Sequence, residues 1–205
     1  MGDVSPDAAG TAVDTRVFGA AATVLALGGI LVAVALDPTF SWTTDALSDL
    51  GVRDRSAPVF NGGLILGGGV GVGYAWGLWR AVSTDVVGRV RAVVFAFAMG
   101  SLAGVGLFDL THPFHGPAAI GFYTLVTVVF GLDGVARRST TTGRVTLVFV
   151  PLHVVVWATF IGGWWPVPGL ALPELPGALM LAVWVWVVGP YPVVDRGSDG
   201  SRGVD

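Results

Sequence analysis

The fold is decided by an unbroken apolar stretch near the N-terminus, Val17–Leu36, which reads VFGAAATVLALGGILVAVAL and carries no charge. A helix crosses the ~30 Å hydrocarbon core of a bilayer in about 20 apolar residues. A spanning backbone must satisfy its own hydrogen bonds, as a helix or a closed barrel, and barrel strands alternate polar and apolar residues. The stretch therefore predicts a membrane-spanning helix. A cleaved signal peptide is disfavoured, because its apolar run is usually 7–15 residues long.

Five further apolar runs follow at similar spacing and are separated by short polar connections. The six predicted spans are Val17–Leu36, Pro58–Trp79, Val90–Phe108, Pro117–Val135, Val145–Trp165 and Ala178–Val194. Together they predict an all-α fold, a polytopic transmembrane six-helix bundle over 17–194. An N-terminal tail, 1–16, and a C-terminal tail, 195–205, flank this domain.

The composition agrees with an integral membrane protein and excludes several other classes. Hydrophobic residues make up 53% of the chain, charged residues 12%, and the mean hydropathy is +0.74. Soluble domains carry about 25% charge, and disordered chains are poor in apolar residues. The chain has no cysteine, which excludes disulfides and thiolate metal sites, and its net charge of −3 offers no basic footprint for nucleic acid.

Arginine is distributed unevenly among the predicted connections. Two arginines, Arg53 and Arg55, lie on one side of the predicted membrane, and the other nine lie on the opposite side. The positive-inside rule then predicts a cell-membrane protein with both termini in the cytoplasm. The outer face would hold the loops Asp37–Ala57, Asp109–Gly116 and Pro166–Gly177.

The second predicted helix is unusually rich in glycine, reading GGLILGGGVGVGYAWG from Gly62 to Gly77. Small residues spaced by four allow close approach of helices in lipid. Three interpretations stay open: close packing within the chain, a wall or hinge beside a lipid chain, and packing against a partner protein or a second copy.

Polar residues are concentrated in the first predicted outer loop. Asp45, Ser48 and Asp49 share one face of a short helix, and Asn61 lies about one turn inside the next span. The purely structural interpretation is a capped helix at the membrane interface whose carboxylates are solvated. The functional one is a ligand-binding pocket whose floor contains Ser48, Asp49 and Asn61.

A second polar group follows the third span, where Asp109, His112 and His115 are spaced by three residues around Pro113. Carboxylate and imidazole are ligands of first-row metals, and histidine also titrates near neutral pH. Metal binding, acid–base catalysis and simple contact with lipid headgroups therefore stay open for these three residues. No other cofactor is indicated, and the G-x-S-x-G and H-E-x-x-H motifs are absent.

Two polar residues fall inside or at the ends of later spans. His153 lies near the middle of the fifth span, where it could bond a neighbouring helix or line a cavity as a ligand-binding residue. Asp133 ends the fourth span one turn before Arg137, a spacing that explains it as an ion pair.

The segment Leu47–Gly67, LSDLGVRDRSAPVFNGGLILG, resembles the signature of the bacterial and archaeal family called domain of unknown function 998. The matching residues are Ser48, Leu50, Gly51, Phe60, Asn61, Gly63, Leu64 and Ile65, with Asp109, His112 and His115 matching an acidic residue and histidines after the third helix. The resemblance implies a six-helix membrane protein without implying a reaction.

A more distant similarity, carried by Ser48-Asp49-Leu50-Gly51, is to the FGF-receptor-activating/DRAM-like membrane family, which includes a factor in lipid remodelling of GPI anchors. The segment Arg55–Ala57 lacks the Pro-Glu of that family.

Three functions follow as hypotheses. The first is binding or processing of membrane lipid through an outward-facing polar pocket, including a metal-assisted hydrolase. The second is a non-enzymatic scaffold or assembly subunit, with a homo-oligomer or a membrane-protein partner packed on the glycine-rich helix. A small transporter ranks last, because polarity in the middle of the spans is nearly limited to His153.

Overall fold

The computed structural model describes residues 6–82 and 85–194, and every regular element in those ranges is helical. The six α-helices are α1 Pro6–Leu36, α2 Ala57–Arg80, α3 Val86–Leu107, α4 His115–Ala136, α5 Thr141–Ile161 and α6 Ala171–Val183. A short 3-10 helix, Leu47–Val52, lies between α1 and α2, and a π-helical segment, Trp184–Val188, continues α6. The all-α prediction is confirmed, while the predicted tail 195–205 lies outside the described residues.

Within residues 6–82 and 85–194, five helices are long and apolar enough to cross a membrane: 14–36 of α1, α3, α4, α5, and α6 with its π segment. The second predicted span, Pro58–Trp79, corresponds to α2, which has 24 residues but is not among the five. Eight of its residues are glycines, which lower its hydropathy without adding apolar surface. Large apolar side chains such as Phe97, Ile120 and Ile161 are exposed along the outside of the bundle, which suits a multi-pass membrane protein.

The ends of the first and last helices differ from the sequence prediction. The first helix begins at Pro6 rather than Val17. The last begins at Ala171 rather than Ala178, and its helical path ends at Val188 rather than Val194. The early start of α6 was missed because Pro173 and Pro176 suggested a loop. Proline is tolerated in the first turn of a helix, where Pro173 lies, but Pro176 stands inside α6. The loop 166–177 is correspondingly shorter.

Successive helices pack as neighbours from α1 to α5, and α6 returns towards α1 through its π segment. The end of the bundle that carries the α2–α3 and α4–α5 connections is called the arginine end here, and the opposite end the 3-10 end. One apolar core cluster surrounds Tyr74, Phe95 and Trp184 near the arginine end. A second surrounds Leu50 and Phe60 near the 3-10 end.

The glycines of α2 are used largely for packing inside the chain. A Cβ added to Gly63 would lie 2.9 Å from Cα of Gly29 in α1, and one added to Gly68 would lie 2.6 Å from the Met99 carbonyl oxygen in α3. Gly67 has similarly little space, against Ala26. Close packing between helices is thus the interpretation that fits these positions.

Candidate functional site

The 3-10 helix is held against the bundle by polar side chains at both ends. The Asp49 carboxylate accepts a hydrogen bond from the Ala46 N–H, 2.7 Å away. Ser56 donates to the Leu50 carbonyl at 2.8 Å, and the Asn61 side-chain N–H donates to the Gly51 carbonyl at 2.9 Å. These bonds fix the backbone that carries Ser48, so its side chain has a defined direction.

Ser48 and His115 form a hydrogen-bonded pair between the 3-10 helix and the first residue of α4. The Ser48 Oγ lies 3.0 Å from His115 Nε2, and His115 Nδ1 lies 2.7 Å from the Phe108 carbonyl oxygen. A carbonyl only accepts, so Nδ1 carries the proton and Nε2 of the neutral ring is the acceptor. Ser48 therefore donates its hydroxyl hydrogen to His115. The two residues are 5% and 6% exposed.

A third buried polar side chain, Glu174 of α6, lies at the same end of the bundle. Its Oε2 accepts a hydrogen bond from the Leu47 N–H at 2.8 Å, and the residue is 6% exposed. Two backbone bonds also join the flanking loops, from Gly169 N–H to Thr43 and from Ala171 N–H to Asp45. The loop before α6 is thereby attached to the loop before the 3-10 helix.

Ser48 and Glu174 both line an elongated cavity inside the bundle. Nearly all of its other walls are apolar and come from α1, α2, α3, α4 and α6, including Ala22, Ile30, Phe60, Met99, Phe122 and Ala178. Along α2 the lining runs from Phe60 to Tyr74, roughly 21 Å at 1.5 Å per residue. The cavity is thus a long, largely apolar space with Ser48 and Glu174 at the 3-10 end. Tyr74, whose buried hydroxyl has no hydrogen-bond partner, lines it near the arginine end.

The cavity lies between two helices that do not pack closely on one another. Residues of α1 and α6 face each other across it, yet close contact between these two walls is made chiefly through the π segment. There a Cβ on Gly19 would lie 2.8 Å from a Val185 methyl carbon. Towards the 3-10 end, α1 and α6 lie farther apart, and the cavity occupies the space between them.

The two other residues of the predicted histidine cluster point elsewhere. Asp109 is turned towards Thr111, whose N–H and hydroxyl donate to it at 2.9 and 2.6 Å. These bonds hold the pKa of Asp109 below its usual value. His112 is exposed and stacks on Phe108, with ring centroids 4.7 Å apart.

Over the described residues there is no group of three histidine or acidic side chains that could hold a metal ion. Metal binding at Asp109, His112 and His115 therefore gains no support from the geometry.

The other two predicted pocket residues have mainly local partners. Asp49 caps the 3-10 helix, and Asn61 connects that helix to α2 through its bond to Gly51. The Asn61 Oδ1 is buried without a hydrogen-bond partner and faces Gly51, where an added Cβ would lie 2.6 Å from it. Ser48 is thus the member of the predicted group Ser48, Asp49 and Asn61 that lines the cavity.

His153 is buried in α5 and has a partner on each ring nitrogen. Its Nδ1 lies 2.8 Å from the Thr127 hydroxyl, which itself donates to the Tyr123 carbonyl. Its Nε2 accepts from the Trp157 indole N–H at 3.1 Å. Both positions of the neutral ring are therefore filled, and His153 joins α4 to α5 without lining the cavity.

A second buried polar cluster, the Asp133 cluster, lies at the arginine end. Asp133 is fully buried and accepts hydrogen bonds from Arg91 at 2.6 Å, from Arg137 through two nitrogens, and from the Trp184 indole at 2.8 Å. Arg137 also donates to the Val188 carbonyl. The predicted ion pair between Asp133 and Arg137 is present, and it extends to α3 and the π segment.

Glu174 was missed at the sequence level, although one signal pointed to it. It is the single glutamate of the chain, and it stands inside the apolar run LALPELPGALML. A lone acidic residue in such a run is costly unless it has a partner. The partner is a backbone N–H of the 3-10 helix, which no side-chain pattern reveals.

The comparisons with known proteins give one finding. A family model described as protein of unknown function (DUF998) matches residues 20–190, most of the chain. No curated protein and no solved structure matches.

Proposed function

From the premise that this chain belongs to the DUF998 family, we propose that it binds a membrane lipid, with one acyl chain in the cavity and the polar part at the 3-10 end. The observation that carries the proposal is the shape and lining of that cavity. It is apolar over most of its length and has Ser48 and Glu174 at one end.

The length of the cavity suits a lipid tail. The residues that line it along α2 extend over roughly 21 Å, more than one leaflet, which is half of the ~30 Å hydrocarbon core. The enclosed space is narrow, about 80 Å³, so a tail must displace some of the side chains that line it. An acyl chain that lies along this wall loses its contacts with other lipids and gains contacts with apolar side chains. The gap between α1 and α6 gives it a sideways path from the bilayer, so it never crosses water.

The proposal includes an orientation in the cell membrane. If α2 crosses together with the five apolar helices, the chain has six crossings and both termini are cytoplasmic. The arginine end then faces the cytoplasm, as the positive-inside rule requires. Ser48, His115 and Glu174 then lie towards the outer headgroups.

Orientation is testable because the chain has no cysteine of its own. We expect Thr111→Cys, on the exposed turn before α4, to react with a membrane-impermeant maleimide on intact cells. Ser139→Cys, exposed at the arginine end, should react only after the cells are broken. The reverse pattern would contradict the outward-facing site.

Lipid binding is tested by filling the cavity from either wall. Ala178→Trp in α6 and Ala22→Phe in α1 place bulk in the cavity, whereas Leu179→Trp and Val24→Phe place similar bulk on exposed positions of the same helices. We expect the purified protein and the two exposed variants to carry lipid in native mass spectrometry, and the two cavity variants to lose it. Equal lipid content in all five proteins would refute the proposal.

Assembly through the glycine-rich helix stays a prediction. The glycines that meet α1 and α3 of the same chain are unavailable to a partner, whereas Gly62 and Gly69 have open space. The native mass in the same experiment reports whether a second copy is bound.

A further inference from the structure

We infer that Ser48 is a nucleophile and His115 its general base, and that together they cleave or transfer an acyl ester of the lipid. The inference rests on the proposed lipid site and adds a reaction to it. A serine becomes a nucleophile when a base within hydrogen-bond reach takes its proton and a third group orients that base. Ser48, His115 and the Phe108 carbonyl stand in this relation.

The direction of the hydrogen bonds suits the reaction. Because the Phe108 carbonyl holds the proton on Nδ1, the lone pair of Nε2 faces the Ser48 hydroxyl at 3.0 Å. The opposite tautomer would place a donor against Ser48 and could not accept its proton. The orienting group is a neutral carbonyl in place of the carboxylate of the serine-protease triad.

The placement of Ser48 distinguishes this pair from a bond that only joins two elements. Ser48 is buried from water yet lines the apolar cavity. A lipid whose tail occupies the cavity brings its ester carbonyl to the polar end, beside the hydroxyl. By contrast, the buried Ser56 in the same segment donates to backbone carbonyls and does not line the cavity.

The reaction proceeds in two balanced steps. Ser48 Oγ forms a bond to the carbonyl carbon as its proton passes to His115 Nε2. The ester C–O bond then breaks, and the leaving alcohol takes that proton. In the second step water, or the hydroxyl of another lipid, attacks the acyl-serine and gives its proton to His115, which returns it to Ser48. The products are a fatty acid, or a new ester, and the regenerated pair.

The experiment uses the full-length protein in detergent with hexadecyl fluorophosphonate, a serine-reactive probe with a lipid-like tail. We expect one adduct, mapped to Ser48 by peptide mass spectrometry. Ser48→Ala should give none, and His115→Gln should react about 10²-fold more slowly, because general-base assistance is lost. Ser139→Ala, at an exposed serine of the arginine end, and His112→Gln are the controls and should label at the wild-type rate. Thermal unfolding of each variant shows that it remains folded.

The outcomes separate this inference from the proposed function. Copurified lipid without a Ser48 adduct overturns the reaction and leaves lipid binding in place. An adduct whose rate is unchanged in His115→Gln overturns the assignment of the base. Labelling by a short-chain fluorophosphonate but not by the hexadecyl reagent overturns the lipid substrate. A Ser48 adduct that is lost when Ala178→Trp fills the cavity supports both statements.

Discussion

The two ends of the bundle each bury a polar cluster, and the clusters differ in whether their polar side chains border the cavity. At the arginine end, Asp133 accepts from Arg91, Arg137 and Trp184, and no residue of that cluster lines the cavity. At the 3-10 end, Ser48 and Glu174 each have one partner and border open space. The Asp133 carboxylate is fully paired and away from the cavity, so this cluster holds helices together even though Arg91 Nε has no partner. Polar groups that border a cavity can also meet a ligand.

The largest expected effect comes from breaking the Asp133 cluster. Asp133→Asn leaves the buried Arg91 without its counter-charge, and removal of one partner from a buried ion pair costs about 3–5 kcal/mol. We expect a strong loss of folded protein and a lower thermal unfolding midpoint in detergent. Asp109→Asn, on an exposed turn, is the control and should change stability little. Equal losses would show that the two carboxylates are not distinguished by burial.

The next effect tests whether α1, a wall of the cavity, is held by glycine packing. Gly63→Leu must displace the backbone of α1, because an added Cβ lies 2.8 Å from the Leu25 carbonyl oxygen and 2.9 Å from Gly29 Cα. Overpacking of this kind costs about 1–3 kcal/mol. Gly62→Leu, with nothing within 4 Å of its Cβ position, should be neutral. The thermal unfolding midpoints of Gly63→Leu and Gly62→Leu measure the difference in stability. Identical midpoints would mean that the close packing at Gly63 does not hold α1 against α2.

A smaller effect is expected at the 3-10 end. His115→Ala removes the acceptor of Ser48 and leaves a buried hydroxyl unpaired, a loss of about 1–2 kcal/mol. His112→Ala, exposed on the same turn, should cost less. Chemical denaturation of the two variants checks the order. If His115→Ala lowered the free energy of unfolding as much as Asp133→Asn does, the polar residues at the 3-10 end would serve mainly to stabilise the fold.

The smallest effect is a pH dependence at the loop beside the 3-10 helix. The Thr39 hydroxyl and the Arg53 guanidinium lower the pKa of Asp37 from 3.8 to about 2. A lowered folded-state pKa gives stability that is present above the unfolded value and lost as pH falls towards the folded one. We therefore expect part of the stability to disappear between about pH 4 and pH 2.

Asp37→Asn should remove that part of the pH dependence. Asp54→Asn, which changes an exposed carboxylate of the same loop, should retain it. Unfolding midpoints measured from pH 6 to pH 2 compare the two variants. The same slope in both would contradict the role of Asp37.

The structural features that could be predicted are those encoded by residues close together in the sequence. Long apolar runs identified the helices, and the spacing of Asp133 and Arg137 identified one ion pair. The contact of Arg91 with Asp133 joins residues 42 apart, and that of Ser48 with His115 joins residues 67 apart. Such contacts depend on the order in which helices pack, which periodicity does not encode. The start of α6 was missed because Pro173 and Pro176 look like loop residues, and the role of Glu174 was missed because its partner is a backbone N–H 127 residues away.

The closure of the cavity by the first and last helices has a consequence for biosynthesis. While the ribosome is still making α6, the earlier helices form an open trough whose apolar floor faces the surrounding bilayer. The trough becomes an enclosure only when the final helix docks against the first, through Gly19 and Val185. A lipid that occupies the trough at that moment remains inside the finished protein, and later exchange is limited to the gap between α1 and α6.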